Sequence, residues 1–305
     1  MSPTFSVVIP TTGRPELRRL LDRLAEEGVT EPIEVVVDSD RLGPAHARNE
    51  GWRRTSGEWV VFLDDDVVPR PGWRERLLAD LDQPASVAAV QAQVTVPDGE
   101  RTDWHATTAG LAHARWITAD IAYRREMLLI TGGFDENFPR AYREDADLAF
   151  RVRAAGGCLV VGSRATDHPV RPAGRWVSLR SQRGNADDAY LRRRYGSGWH
   201  GLLEVPHGRR RRHTVTTLLG LTSLGLFATR RYAWATVAAA AWAGATADFV
   251  AHRLRAAPAE RRQPLPLIAT SVAIPPLAVG HWLAGWWRHR RVPSWPATGV
   301  RSEQK

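Results

Sequence analysis

Asp64-Asp65-Asp66 directly follows the apolar run Val60-Val61-Phe62-Leu63, which places three carboxylates where a buried strand leaves its core. Like charges crowded at such a point repel one another unless something cationic shares the site. Alternate residues at a strand end can point into one cleft, so Asp64 and Asp66 can engage a hard divalent ion that completes its shell with diphosphate oxygens and water. An acidic triplet is also a common solvated turn, and the residues by themselves leave both readings open. A second acidic pair, Glu144-Asp145, opens a helical stretch in which Leu148 and Val152 face inward. Unpaired amides at a helix start stabilise anions, so first-turn acids are the plainer account; a chemical role would be proton abstraction from a hydroxyl by one carboxylate. His168, in Asp167-His168-Pro169-Val170-Arg171-Pro172, is a third group able to ligate a metal or to serve only structurally.

The elements that must position these groups alternate. An apolar strand from Phe5 ends at Pro10, a turn Thr11-Thr12-Gly13-Arg14 follows, and Leu17, Leu20, Leu21 and Leu24 recur at helical spacing. A second strand, 33–37, is an apolar run broken by one glutamate, the pattern of a strand covered on both faces, and it ends at Asp38. A helix over 45–54 and a third strand, 59–63, lead to the acidic triplet. Strand–helix alternation with polar strand ends predicts an open α/β sheet whose ligand crevice lies along those ends, with Asp38 and the triplet facing it. Further strands are expected near 87–96 and 158–161, with an irregular connection over 102–118 and two covering helices within 164–200.

Charge divides the chain. Residues 201–305 hold 15 Lys and Arg against 4 Asp and Glu, so the formal net charge of +9 belongs to the C-terminal third, and the first 200 residues are slightly acidic. These arginines flank apolar segments rather than alternate with stacking aromatics, which favours anionic lipid headgroups and argues against nucleic acid. Cys158 is the only cysteine, so a disulfide framework or a cysteine metal cage within one chain is excluded. The chain enters an apolar strand almost at once, without the basic leader and long apolar stretch of a secretory signal, which predicts a catalytic part on the cytoplasmic side of the cell membrane. Beyond Arg212, uncharged runs cover Thr214–Thr229, Tyr232–Ala247 and Pro264–Trp287; only the last is long enough to span a bilayer alone. Arg230-Arg231 between the first two would sit on the far side of a transmembrane hairpin, against the usual bias of basic residues, and an interfacial arrangement avoids that conflict.

Four landmarks in order resemble glycosyltransferase family 2 from Ser6 to about Gly157: Val7-Val8-Ile9-Pro10-Thr11; Gly43-Pro44-Ala45-His46-Ala47-Arg48-Asn49-Glu50-Gly51; Phe62-Leu63-Asp64-Asp65-Asp66; and Gly132-Gly133-Phe134-Asp135-Glu136 leading to Glu144-Asp145-Ala146-Asp147-Leu148. The resemblance implies a GT-A-type, Rossmann-like mixed α/β sheet flanked by helices over residues 1–205. A helical hydrophobic region, 206–292, and a polar, disordered tail, 293–305, would follow. It implies that Pro10, Thr11, Thr12 and Arg14 cradle a nucleotide sugar, that Asp38 accepts a hydrogen bond from the base, and that Arg48 lies near the donor. Asp64 and Asp65 would contact the donor, while Asp64, Asp66 and His168 would hold a divalent cation, Mg2+ or Mn2+. Asp145, with Glu144, would supply the general base of an inverting transfer to an acceptor hydroxyl on a membrane-associated glycan or lipid-linked acceptor. Asp38 stands in Val37-Asp38-Ser39-Asp40 where Asp-Asp-Gly-Ser is commoner, which leaves its role and that of Asp40 open; structurally, Asp38 ends a strand and Arg48 pairs with Glu50 or Glu144. The Gln-x-x-Arg-Trp sequence of processive synthases is absent, which implies single or few additions. Arg180, Gln182, Arg183 and Asn185 are candidates to meet donor phosphates or an anionic acceptor, and Trp104, Trp116 and Tyr142 to stack on sugar. The rival from another class is a catalytically silent membrane scaffold or lipid-binding protein that keeps the sheet.

Overall fold

The computed structural model describes residues 3–259 and 264–295. β1 (Phe5–Thr11) is buried throughout, and its alternate side chains serve two core layers, Val7 and Ile9 in one and Val8 in the other. α1 (Glu16–Glu26) closes the first layer with Leu20 and Leu24. β2 (Ile33–Val37), α2 (Pro44–Arg54) and β3 (Trp59–Leu63) complete a parallel unit in which β1 pairs with β2 on one side and β3 on the other. β2 is the sheet edge and is only half-buried, with Val37 56% exposed, which corrects the expectation of a strand covered on both faces. The sheet ends there, and the flanking helices cover its valines only in part.

β4 (Val68–Pro69), α3 (Trp73–Leu81), β5 (Val87–Thr95), α4 (Asp103–Ala109), β6 (Asp120–Arg124), α5 (Arg125–Thr131), α6 (Glu144–Ala154) and β7 (Cys158–Asp167) follow, giving the sheet order β2-β1-β3-β6-β5-β7-β4. β6 runs antiparallel to both β3 and β5, and β7 runs parallel to β5, so the sheet is mixed. Two features depart from the sequence pattern. The stretch expected to be irregular contains α4, whose start is capped by the Thr102 hydroxyl accepting from the His105 amide at 3.1 Å. β7 continues past Val161 to Asp167 through polar residues. Fully buried Arg164 anchors that extension, donating to Asp120 at 2.9 Å, to Asp80 at 3.0 Å and to the Val90 carbonyl at 2.8 Å. Because the extension is held by ion pairs rather than apolar side chains, it leaves no alternation for a pattern search to find.

The C-terminal part is helical: α7 (Val177–Arg180), α8 (Asn185–Tyr195), α9 (Trp199–Leu202), α10 (Arg210–Ala228), α11 (Tyr232–Ala256) and α12 (Pro264–Arg288). α10 begins in the arginines before its apolar run, and α11 continues beyond its own run through Arg253 and Arg255. Among the described residues only α12 is long and apolar enough to cross a bilayer. One face of it packs on α8 and α10. At Gly285 the helices meet so closely that a Cβ would lie 2.5 Å from the Ala186 carbonyl oxygen. Gly285→Val is therefore expected to cost about 1–3 kcal/mol in a denaturant melt, as overpacking does; an unchanged midpoint would contradict this docking. Of the expected disordered tail, residues 293–295 are placed, and Trp295 packs near Phe150 and Tyr195 while its amide donates to the Arg194 carbonyl at 2.7 Å. Residues 296–305 lie outside the described residues.

Candidate active site

α2 presents Arg48 from a buried position, 1% exposed, between β3 and the start of α6. One terminal nitrogen donates to Asp64 Oδ1 at 2.7 Å and the other to Glu144 Oε1 at 2.8 Å. A single guanidinium thus joins the two acidic groups that lie far apart in the chain, and Arg48 pairs with Glu144 rather than Glu50. The neighbouring Asn49 accounts for another landmark. Its side chain donates to the Phe134 carbonyl at 2.8 Å and accepts from the Phe134 amide at 2.9 Å, holding the loop that precedes α6. Gly133 is required there, since its φ is +77° and a Cβ would meet Asn49 Oδ1 at 2.4 Å.

Asp66 is buried, with His168 Nε2 3.7 Å and Arg171 Nε 2.8 Å from its carboxylate oxygens. His168 reaches it because β7 runs on to Asp167 and the His168 amide then donates to the Thr95 carbonyl at 2.8 Å. Ligand atoms of Asp64, Asp66 and His168 all lie within 4.8 Å of one another. Burial and the adjacent Asp64 hold the Asp66 carboxyl above the usual range, His168 and Arg171 offsetting this only in part. His168 Nδ1 is buried without a hydrogen-bond partner. Two carboxylates and an imidazole with unrelieved repulsion fit a divalent ion that takes oxygen and nitrogen ligands. Arg171 is a member of this group that the sequence reading did not single out; its only signal was its place three residues after His168.

The residues expected on the nucleotide side divide. Asp65 is buried and turns back to the β1 loop, accepting from the Thr11 hydroxyl at 2.6 Å and from Arg14 at 3.1 Å. These three therefore form one brace. Asp38 extends the same edge: its amide donates to the Thr11 carbonyl at 2.8 Å, and its carboxylate accepts from the amides of Leu42 and Gly43 at 2.8 and 2.9 Å. Pro10 is buried in β1, while Thr12 and Asp40 are exposed.

On the other side of Arg48, Glu144 is buried and Asp145 half-buried. Burial and the neighbouring Asp145 push the Glu144 carboxyl up despite Arg48; burial likewise raises Asp145, against the Ala146 amide and the charge of Arg48. The Ala146 amide donates to Asp145 Oδ1 at 2.7 Å, which leaves the other carboxylate oxygen for a substrate proton. Of the aromatic candidates, Trp116 is excluded from sugar stacking: it is 5% exposed, and its indole donates to Glu204 at 2.7 Å. Trp104 is half-buried and donates to the Arg171 carbonyl at 3.1 Å. Tyr142, 36% exposed, lines a cavity of about 1360 Å³ together with Gln182 and Asn185. That cavity lies between the sheet domain's helices and α10–α12, and its lining does not include Asp64, Asp66, Glu144 or Asp145. Arg180 and Arg183 are exposed and do not line it.

Comparison with known proteins bears on the family and the fold. Residues 14–148 match the model for glycosyl transferase family 2. A pre-mycofactocin glycosyltransferase of Mycobacterium tuberculosis is 32% identical over 142 residues, covering 42% of this chain but only 30% of that relative's length. The succinoglycan biosynthesis protein ExoM of Rhizobium meliloti is 27% identical over 250 residues, covering 68% of this chain and 77% of its own. Among solved structures, a mannosyltransferase from Pyrobaculum calidifontis shares the fold with a TM-score of 0.50 at 18% identity, covering 94% of this chain and 88% of that one. With a mixed sheet of this order and the family match across residues 14–148, this part of the chain resembles glycosyl transferase family 2, and the chain is built on the GT-A fold.

Proposed function

We propose that the chain transfers a glycosyl group, with inversion, from a nucleoside-diphosphate sugar to a hydroxyl of a glycan or lipid-linked acceptor at the cytoplasmic face of a membrane. The observation that carries this reading is the Arg48 bridge, which sets Asp64 and Glu144 on either side of one guanidinium and so joins two acidic groups far apart in the chain into one cluster. Thr11, Arg14 and Asp65 form the wall against which the nucleotide would lie, and Asp38 stiffens the adjoining loop. Asp64, Asp66 and His168 would hold a divalent cation, whose contribution when bound is to offset charge on the diphosphate. The Pyrobaculum mannosyltransferase was captured with GDP-Man and Mn2+, which supports the same donor class here. Asp145 is the general base: it takes the acceptor proton as the hydroxyl oxygen attacks the anomeric carbon and the bond to the leaving diphosphate breaks. Glu144, buried on Arg48, positions that helix start rather than moving the proton. Outward-facing Val215, Leu218, Leu221 and Leu224 on α10, 56–68% exposed, with Trp234 on α11 and Trp287 on α12, supply the apolar surface that would rest in the membrane interface.

The test is a screen of the full chain against nucleotide sugars, reading nucleoside-diphosphate release with Mn2+, with Mg2+ and with chelator. Release that depends on acceptor and on divalent ion supports the reading; no release with any donor and either metal overturns it. Asp66→Asn is expected to lower metal-dependent kcat/KM by about 100-fold, the scale of removing one preorganised electrostatic group, while the melting temperature is held. Equal turnover in the variant would remove Asp66 from the metal site.

A further inference from the structure

The cavity beside Tyr142 carries a concentration of positive charge that the transfer chemistry described so far does not use. Arg209 caps α10, and Arg210, Arg211 and Arg212 form its first turn. Cations are disfavoured at a helix N-terminus, where the unpaired amides already present positive charge. All four line the cavity, and Arg192 joins them from α8. Among the described residues, Arg192, Arg210 and Arg211 pair with no carboxylate, and Arg209 and Arg212 have only the exposed Asp248 at 3.6 and 3.9 Å. The two acids in the lining are already engaged, Asp103 by Arg253 at 2.7 Å and Asp188 by Arg143 at 3.5 Å. Neighbouring groups register the excess: burial, His207, Arg143 and Arg210 push His200 down to about 4, and burial with Arg212 lowers Arg209. Beneath the charges the surface is apolar, with Phe249 5.1 Å below Arg209 and Trp282 4.9 Å below Arg210. The exposed leucines of α10 continue from the same helix.

We infer that this cavity is a lipid headgroup site beside the acceptor hydroxyl, and that it takes the terminal phosphate or diphosphate of a membrane lipid, with Arg192, Arg209, Arg210 and Arg211 on the phosphate and Phe249 and Trp282 against the first carbons of the lipid chain. The inference rests on the acceptor reading above and adds to it a lipid phosphate held beside the hydroxyl that is attacked. Several guanidiniums without carboxylate partners, at the positive end of a helix, are stabilised by a multiply charged anion, and arginine's planar fork suits phosphate oxygens. The outward apolar row on α10 keeps the lipid tail in the membrane while its phosphate enters the cavity. Tyr142, in the lining, immediately precedes Arg143 and the Glu144-Asp145 pair, which brings a headgroup held there to the acceptor side of the base.

The experiment uses the full-length protein and co-sedimentation with phosphatidylcholine vesicles containing either phosphatidic acid, which bears a terminal phosphomonoester, or phosphatidylglycerol, which bears only a diester, matched for surface charge. Tighter binding to phosphatidic acid, competition by inorganic diphosphate, and at least a tenfold loss of that preference in the double variant Arg210→Gln/Arg211→Gln are expected. Arg192→Gln, on α8 and outside the bundle, gives a second and smaller loss should the double variant fail to fold. Equal binding to both vesicle types identifies a general anionic surface and overturns the inference, as does undiminished preference in the folded variants. If inorganic diphosphate binds but phosphatidic acid gains nothing over it, the lipid half is overturned. Calorimetry with GDP and UDP in the presence of Mn2+ reports the donor site separately: donor binding without lipid preference sinks only this inference, whereas loss of both sinks the transfer reading beneath it.

Discussion

Asp145→Asn is expected to lower kcat by about 100- to 10,000-fold, the range a positioned general base contributes, with nucleotide-sugar binding and thermal stability close to wild type. The expectation follows from position: Asp145 is half-buried at the start of α6, one oxygen is committed to the Ala146 amide, and Arg48 occupies its neighbour Glu144. Glu144→Gln keeps an oxygen for Arg48 and should retain much more activity than Asp145→Asn; the reverse order would exchange the roles of the two acids. The acid limb of the pH–rate profile should lie above the range of an ordinary aspartate, because burial raises the Asp145 carboxyl and the base works only when ionised. Stability should move the other way. The folded chain holds the protons of Asp145 and Glu144 more tightly than the unfolded chain, so their contribution is present at low pH and is lost as pH rises through the raised folded values. Activity rising with pH over a range in which stability falls is therefore the combined signature, and an acid limb at the ordinary carboxylate position would remove Asp145 as the base.

Arg48→Met should be the most damaging single change. It takes a cation from between Asp64 and Glu144, leaving the latter buried without a partner, and breaking a buried ion pair from one side typically costs about 3–5 kcal/mol. A denaturant melt should show that loss together with loss of transfer, because the acid clusters no longer share an anchor. The double variant Arg48→Met/Glu144→Gln should recover part of the stability and none of the activity, since it replaces the buried acid left without a partner and does not restore the bridge. A single-variant loss below about 1 kcal/mol, the scale of an exposed pair, would mean that Arg48 is not the link between the two clusters.

What could be read from the amino-acid order was local. Leu17, Leu20, Leu21 and Leu24 announce α1, the apolar runs announce β1 and β3, and Asp64-Asp65-Asp66 lies at a strand end because polar residues terminate a buried strand wherever the chain turns out of the core. The four landmarks placed the acids in their proper order and identified which residues to watch. Tertiary structure decided the rest. That Asp65 braces Thr11 and Arg14 while Asp66 faces His168 depends on how the strand end twists, and no spacing rule carries that. β7 reaches His168 because Arg164 is held by acids from α3 and β6, partners 84 and 44 residues away. The uncharged runs after Arg212 showed apolar helices, but only packing revealed that α12 lies against α8 and that Arg192 and the arginines 209–212 open into a shared cavity. Side-chain periodicity records which face of an element avoids water; which distant charge a buried charge meets is settled only when the whole chain has closed around both.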